Sequence, residues 1–197
     1  MKLKNGIKTY YAKSRKGWRN WLQKNADKEK AVWLIIYKKK SEIETVYYPE
    51  AVDEALCFGW VDSKINKRDE KSYFQYFSER NPKSNWSRVN KEKVKRLIER
   101  QLMTERGYDM IKVAKEKGTW DALNDVENLI VPEDLQQGFN DKPKAFENWN
   151  NFPRSAKRAI LEWILNAKRN QTREHRIRET VEKAEKNIRA NQYRPKK

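Results

Sequence analysis

The amino-acid sequence predicts an α+β fold, with a small mixed or antiparallel sheet and one or two helices in the N-terminal half. The C-terminal half is predicted to be all-helical and to end in two long amphipathic helices. Two observations carry this prediction. Residues 31–37 (AVWLIIY) are short, continuously apolar and rich in β-branched and aromatic side chains, which is typical of a central strand buried on both faces. From Asn90 onward, apolar residues recur at helical spacing instead.

The first predicted helix covers residues 14–26. Ser14 is a suitable capping residue, because its hydroxyl oxygen can accept a hydrogen bond from a free N–H of the first turn. Trp18, Trp21 and Leu22 are spaced three and four residues apart, so they form one apolar stripe along this helix.

The remaining elements of the N-terminal half follow the apolar strand. Ile43 to Tyr48 is predicted as a second, weaker strand. Pro49 then opens a helix that ends at Gly59, since proline fits the first turn and glycine fits the end of a helix. Residues 60–66 and 72–78 are predicted as two further strands joined by a polar turn.

Two helices are predicted to close the chain. Pro153 opens the first, whose apolar stripe is Ala156, Ile160, Trp163, Ile164 and Ala167. Thr172 is predicted to cap the second, which runs to about Ala190. The predicted organisation is a sheet-containing half over residues 1–88, a helical half over 89–190 that packs on it as one structural unit, and a frayed basic tail over 191–197.

The charge of the chain is strongly positive and uneven. Its 197 residues include 45 Lys or Arg against 28 Asp or Glu, for a net charge of +17. The first 40 residues carry 13 basic and 2 acidic side chains, and residues 152–197 carry 14 and 5. Such a balance favours an anionic ligand or nucleic acid as partner, and the alternative is a surface that only maintains solubility. The oligomeric state does not follow from the sequence.

Composition also sets expectations for location and cofactors. The N-terminus lacks the apolar run of a signal peptide, and the longest apolar stretch is too short to span a bilayer, so we expect a cytoplasmic protein without an integral membrane segment. With one cysteine, Cys57, and one histidine, His175, no metal-ligand spacing is present. We therefore expect no metal and no cofactor.

Several sequence blocks occur in the order found in one known family. They are EALCFGWVD (54–62), Tyr73, Asn85-Trp86-Ser87, TWDALND (119–125), Val131-Pro132 with Asp134-Leu135, and AKRNQTREHRI (167–177). With these blocks, nearly the whole chain resembles the YdeI/OmpD-associated, or bacteriocin-protection, family. Ser63, where that family usually has Gly, and residues 81–83, which are less arginine-rich, depart from its pattern.

The resemblance implies a link to envelope stress and tolerance of antimicrobial peptides, without an established biochemical activity. A chain of net charge +17 repels cationic peptides, so an indirect role fits the charge better than direct capture.

Three features of the N-terminal half each allow a chemical and a structural interpretation. Cys57 lies between apolar neighbours without a predicted base, so it is interpreted as a core residue rather than a nucleophile. Glu54 and Asp62 could share acid/base chemistry; alternatively, Asp62 could cap a turn and Glu54 could pair with one of the many lysines. The strand SYFQYFS (72–78) places Phe74 and Tyr76 on one face, where they could either pack in a core or stack nucleic-acid bases.

The strongest candidate for a ligand site is a terminal basic cluster. On a continuous helix Arg169, Arg173 and Arg176 share one face, and Thr172 lies among them. Such a cluster fits either an anion or phosphate site, or pairing with Glu54, Asp62 or the acidic stretch 119–134.

We predict a cleft between Trp60 and Asp62 on one side and Lys168, Arg169 and Arg173 on the other, with Thr172 and Arg176 nearby. The leading hypothesis is a non-enzymatic binding or stress-tolerance protein with an anion-favouring cleft. The first alternative is a sequence-independent nucleic-acid-binding protein, and the second is an enzyme acting on a small anionic substrate. Because no catalytic centre is evident, the sequence favours a protein that is not an enzyme.

Overall fold

The computed structural model describes residues 3–192 and confirms the α+β class. The chain forms two compact units, one up to Ala122 and the other from Leu123 onward. The first unit contains a five-stranded sheet, four α-helices and a short 3-10 helix (Lys39–Ser41), and the second is built from helices. The first unit extends beyond its sheet, because the two helices within residues 88–116 share a core with it.

The sheet of the first unit contains five strands: β1 (Leu3–Lys4), β2 (Ile7–Tyr11), β3 (Ala31–Tyr37), β4 (Trp60–Lys67) and β5 (Ser72–Glu79). Their order across the sheet is β1-β2-β3-β5-β4, and only the pair of β2 and β3 is parallel. The predicted central strand over 31–37 is confirmed, and so are the two strands that form the β4–β5 hairpin. The first two strands were not predicted, since each is short or mixes polar and apolar side chains.

Four helices accompany the sheet: α1 (Arg15–Asn25), α2 (Tyr48–Cys57), α3 (Arg88–Glu99) and α4 (Glu105–Glu116). Ser14 caps α1 as predicted, accepting a hydrogen bond from the Gly17 N–H at 3.2 Å. The core includes Trp18, Trp60 and Phe77, none of which is measurably exposed. Since alternate residues of a strand point to opposite faces, only one face of the sheet contributes to this core.

The predicted strand from Ile43 to Tyr48 is wrong. Both neighbours of β3 are already hydrogen-bonded to it, β2 on one side and β5 on the other, so no edge of β3 is left for this segment. The segment instead runs into α2, whose first turn is fixed by Pro49 and by Glu50, whose carboxylate accepts the Tyr47 N–H.

The second unit contains α5 (Asn124–Glu127), α6 (Glu133–Asn140), α7 (Pro143–Asn151), α8 (Arg154–Leu165) and α9 (Asn170–Glu185). Its own core is formed around Leu135, Phe139, Trp149 and Ile160. The two long closing helices are confirmed as α8 and α9. No helix among residues 3–192 is long and apolar enough to cross a bilayer.

The predicted cap of the last helix is wrong. The helix begins at Asn170 with Arg169 in the capping position, and Thr172 lies inside the first turn. Helical geometry therefore starts before the threonine, whose hydroxyl cannot then serve the first free N–H groups. Most of the predicted tail, residues 193–197, lies outside the described residues.

Candidate functional site

Two of the predicted site residues belong to the first unit. Trp60 is fully buried in the core, with its ring centre 6.0 Å from that of Trp21. Asp62 is partly exposed and accepts a hydrogen bond of 2.7 Å from the Tyr48 hydroxyl. Burial, together with this carboxylate, raises the pKa of Tyr48 to about 12. Asp62 thus fixes the orientation of a neighbouring phenol.

The other predicted site residues lie at the start of α9 in the second unit. Arg173 makes a two-point ion pair with Asp134, at 2.6 Å and 2.9 Å. Arg176 donates to the Trp163 carbonyl oxygen and lies 5.0 Å from the centre of that indole ring. The interpretation of intramolecular pairing is therefore realised for Arg173, because Asp134 belongs to the acidic stretch 119–134.

Lys168, Arg169 and Thr172 have a different setting. Lys168 and Arg169 are exposed immediately before α9, and Thr172 is half-buried in its first turn. Trp60 and Asp62 belong to one unit and these residues to the other. The cleft between the two sets stays a prediction.

The carboxylate of Glu54 is held by two arginines rather than facing an open cavity. The side chain is 2% exposed, and its two oxygens accept bonds of 2.6 Å from Arg15 and Arg19. Cys57 lies one helical turn away, and burial raises the pKa of its thiol to about 11. Glu54 is therefore an ion-pair partner and Cys57 a buried core residue, which are structural rather than chemical roles.

The most distinctive surface of the first unit is the sheet face opposite the core. We call it the aromatic face and define it as Tyr11, Trp33, Tyr37, Phe74 and Tyr76. Trp33 meets Phe74 and Tyr76 edge to face, with ring centres 6.1 Å and 4.8 Å apart, and Tyr11 meets Tyr37 at 5.2 Å. Trp33 is 4% exposed, while the other four are half-buried.

Cations lie over rings of this aromatic face. The ammonium of Lys4 lies 4.7 Å from the Phe74 ring centre and 5.5 Å from that of Trp33. The guanidinium of Arg68 lies 5.7 Å from the Tyr37 ring centre and donates to its hydroxyl at 3.2 Å. The arrangement offers both flat apolar rings and positive charge, which is the combination that nucleic-acid strands require.

The sequence contained part of the signal for this surface. The alternation in residues 72–78 correctly places Phe74 and Tyr76 on one face. The partners on β3 were missed because a continuously apolar strand was interpreted as buried on both sides. Only the pairing of Trp33 with Tyr76 across the two strands brings the rings together.

Two family models match the chain. One is described as a domain of unknown function (DUF8412) and matches residues 10–110, slightly more than half of the chain. The other is described as bacteriocin-protection, YdeI or OmpD-associated, and matches residues 128–187. The chain belongs to the DUF8412 family, and residues 128–187 are similar to the YdeI/OmpD-associated family.

The YdeI/OmpD-associated resemblance is thereby confirmed for the second unit. The block 167–177 lies within that match, whereas the blocks 54–62 and 85–87 fall within the DUF8412 match. No curated protein and no solved structure matches the chain. Within residues 3–192, no group of three or more His, Cys, Asp or Glu side chains is arranged to hold a metal ion.

Proposed function

We propose that the chain is a non-enzymatic, sequence-independent nucleic-acid-binding protein that holds single strands on the aromatic face of its first unit. The observation that carries the proposal is the set of aromatic side chains on one sheet face, all but Trp33 partly exposed, with Lys4 and Arg68 over its rings. Each unpaired base that stacks on an aromatic side chain contributes roughly 1–3 kcal/mol to the free energy of binding. The contribution is similar for all bases, so it does not depend on the nucleotide sequence.

The charge of the first unit supports the same proposal. Residues 3–122 carry 28 basic and 17 acidic side chains, whereas residues 123–192 carry 13 and 11. A surplus of this size attracts polyanions from a distance, and the aromatic face supplies short-range contacts that charge alone does not. Single strands are favoured over duplex because their bases are free to stack on a flat surface.

The name of the second family fits an indirect role within this proposal. A strongly basic protein repels cationic peptides, so protection against a bacteriocin would arise through the bound nucleic acid rather than through capture of the peptide. We place this activity in the cytoplasm, where single-stranded RNA is available and a free thiol such as Cys57 persists.

The test measures binding of labelled single-stranded and duplex oligonucleotides over a salt series. Phe74→Leu and Tyr76→Leu keep apolar volume on the face but remove the ring. We expect each to weaken single-strand binding about 5-fold or more, since one stacked base is lost. The matched control is Tyr108→Leu, because Tyr108 is an exposed tyrosine on α4 rather than on the sheet.

Equal affinity of the two face variants and the wild-type protein would refute the proposal. So would binding that disappears entirely by about 150 mM salt, since stacking is insensitive to counterions whereas purely electrostatic contacts are not. Unfolding curves of each variant establish that the fold is retained.

A second candidate is an anion site immediately before α9, formed by Lys168 and Arg169. The favouring observation is that Lys168 and Arg169 are exposed and, within the described chain, have no carboxylate at ion-pair distance. Replacing both by Gln is then expected to weaken phosphate binding measured by calorimetry. The control is Lys144→Gln, an exposed lysine on α7. Unchanged phosphate affinity in the double variant would exclude this anion site.

A further inference from the structure

A cavity of about 610 Å³ opens at the end of β3, separate from the centre of the aromatic face. It is bounded by the end of that strand, the start of α2 and the first half of β5. Four tyrosines and two lysines dominate its wall: Tyr37, Tyr47, Tyr48, Tyr73, Lys38 and Lys39. We call it the tyrosine pocket. Its volume suits a ligand the size of a mononucleotide.

The tyrosines give this pocket exposed and oriented rings. Tyr47 and Tyr48 are adjacent in sequence and are 47% and 41% exposed, which is unusual for two consecutive large aromatic residues. Tyr48 is fixed by the hydrogen bond from its hydroxyl to Asp62. Tyr73 lies on the face of the sheet that packs against the core. A flat ring entering the pocket therefore meets preformed aromatic surface.

The charges at the mouth of the pocket favour an anion. The Lys39 ammonium lies 5.8 Å from the Tyr47 ring centre, and Lys38 donates to the Glu70 carbonyl oxygen at 3.1 Å. Neither lysine has a carboxylate at ion-pair distance in the part of the chain that the structure describes. The one acidic residue of the wall, Glu50, already accepts the Tyr47 N–H. Two cations are thus left to face a single engaged carboxylate.

We propose that the tyrosine pocket binds a small aromatic ligand that carries an anionic group, of the nucleoside monophosphate class. The ring stacks on Tyr47 and Tyr48, and the phosphate pairs with Lys38 and Lys39. Asp62 acts as a positioning residue, because it holds Tyr48 without facing the ligand itself. This site takes a free small molecule and does not depend on strand binding by the aromatic face.

The experiment is calorimetric titration of the whole protein with AMP, adenosine and inorganic phosphate. AMP is expected to bind at least about tenfold more tightly than either of the others, because it alone uses both halves of the pocket. Tyr47→Leu and Lys39→Gln are each expected to weaken AMP binding about tenfold. The matched control is Lys40→Gln, since Lys40 adjoins Lys39 in sequence but does not line the pocket.

Three results would overturn the proposal. They are no heat of binding with AMP at millimolar concentration, equal affinity for adenosine and AMP, and unchanged AMP affinity in both pocket variants. Phe74→Leu separates this proposal from the proposed function, because it should weaken strand binding and leave AMP binding unchanged. Loss of AMP binding in Phe74→Leu with retention in Tyr47→Leu would place the ligand on the aromatic face and end the pocket proposal.

Discussion

Two buried charged side chains in the first unit, Glu54 and Arg80, are held by different kinds of neighbour. Glu54 is enclosed between two guanidinium groups, each about one-third exposed. Arg80 is 4% exposed and is held without a carboxylate: it donates to the Asn85 carbonyl oxygen at 2.6 Å and stacks 3.8 Å from the Trp86 ring centre. Burial lowers the pKa of Arg80 to about 10. In both places the cost of removing charge from water is offset by specific neighbours, so substitution should be costly.

For Glu54, we expect Glu54→Gln to lower the free energy of unfolding by about 2–3 kcal/mol. The change leaves two arginines without their shared carboxylate, and the partial exposure of those arginines moderates the loss. Urea unfolding measures it. Glu70→Gln is the control, because its pair with Lys67 is exposed on both sides and contributes at most about 0.5 kcal/mol. Equal losses of stability in Glu54→Gln and Glu70→Gln would contradict a stabilising role of the buried Glu54 ion pairs.

For Arg80, we expect Arg80→Lys to be more destabilising than Arg80→Met. Lysine keeps the buried charge but loses the planar stack on Trp86, whereas methionine removes the charge and keeps the apolar stem. The expected difference is about 1–2 kcal/mol in urea unfolding. A lysine variant as stable as wild type would show that stacking is unimportant.

At the scale of elements, α2 and α4 approach each other unusually closely. Thr104 caps the end of α2, its N–H and its hydroxyl both donating to the Cys57 carbonyl oxygen at 3.1 Å and 2.6 Å. A Cβ added at Gly107 would lie 2.3 Å from that same oxygen. Glycine is therefore required at this position for contact between the helices rather than for backbone freedom.

We expect Gly107→Ala to destabilise the fold by about 2–3 kcal/mol, because backbone must move to admit the methyl group. Gly17→Ala in α1 is the matched control. Its Cβ would meet only Ser14 Oγ, at 3.6 Å, so alanine should stabilise this helix by about 0.5–1 kcal/mol. Thermal or urea unfolding measures the change in stability of both variants. The two changes should have opposite signs if α2 and α4 approach as closely as described, and the same sign otherwise.

The ion pair between α6 and α9 should make the second unit sensitive to acid. Hydrogen bonds from Arg173 hold the pKa of Asp134 below its usual value of 3.8. A depressed carboxyl pKa stabilises the fold above the unfolded value and loses that contribution as pH falls through the folded one. Asp134→Asn should therefore lower stability at pH 7 by less than about 1 kcal/mol, since the pair is partly exposed.

In acid, at a pH below the lowered pKa of Asp134, the same substitution should have no effect, because the wild-type carboxyl is then protonated as well. Urea unfolding at both pH values, monitored by helical circular dichroism, measures the difference. A deficit that persists undiminished in acid would assign the effect of Asp134→Asn to something other than the ion pair.

For the whole molecule, the sequence predicted what local patterns encode. The periodicity of apolar residues located β3, the β4–β5 hairpin and the closing helices. The capping role of Ser14 was also predictable, because it depends only on residues within one helical turn. The wrongly predicted strand after β3 and the missed β2 have the same cause. The segment that pairs with β3 is determined by long-range contacts, which the residues next to β3 do not encode. The site followed the same rule. Phe74 and Tyr76 were predictable as a pair, whereas the aromatic face and the tyrosine pocket exist only through pairing of β3 with β5 and the position of α2.

The last prediction concerns the division of the chain into two units, each with its own core. We expect fragments 1–122 and 123–197 each to unfold cooperatively in urea, because Trp18 and Trp60 are enclosed in one core and Phe139 and Trp149 in the other. The smaller fragment should show the smaller dependence on urea and lower stability, since it buries less surface. Oligonucleotide binding should remain with fragment 1–122, which carries the aromatic face and most of the excess positive charge. A fragment 1–122 that folds but no longer binds would move the proposed function to residues of the second unit, beginning with Lys168 and Arg169.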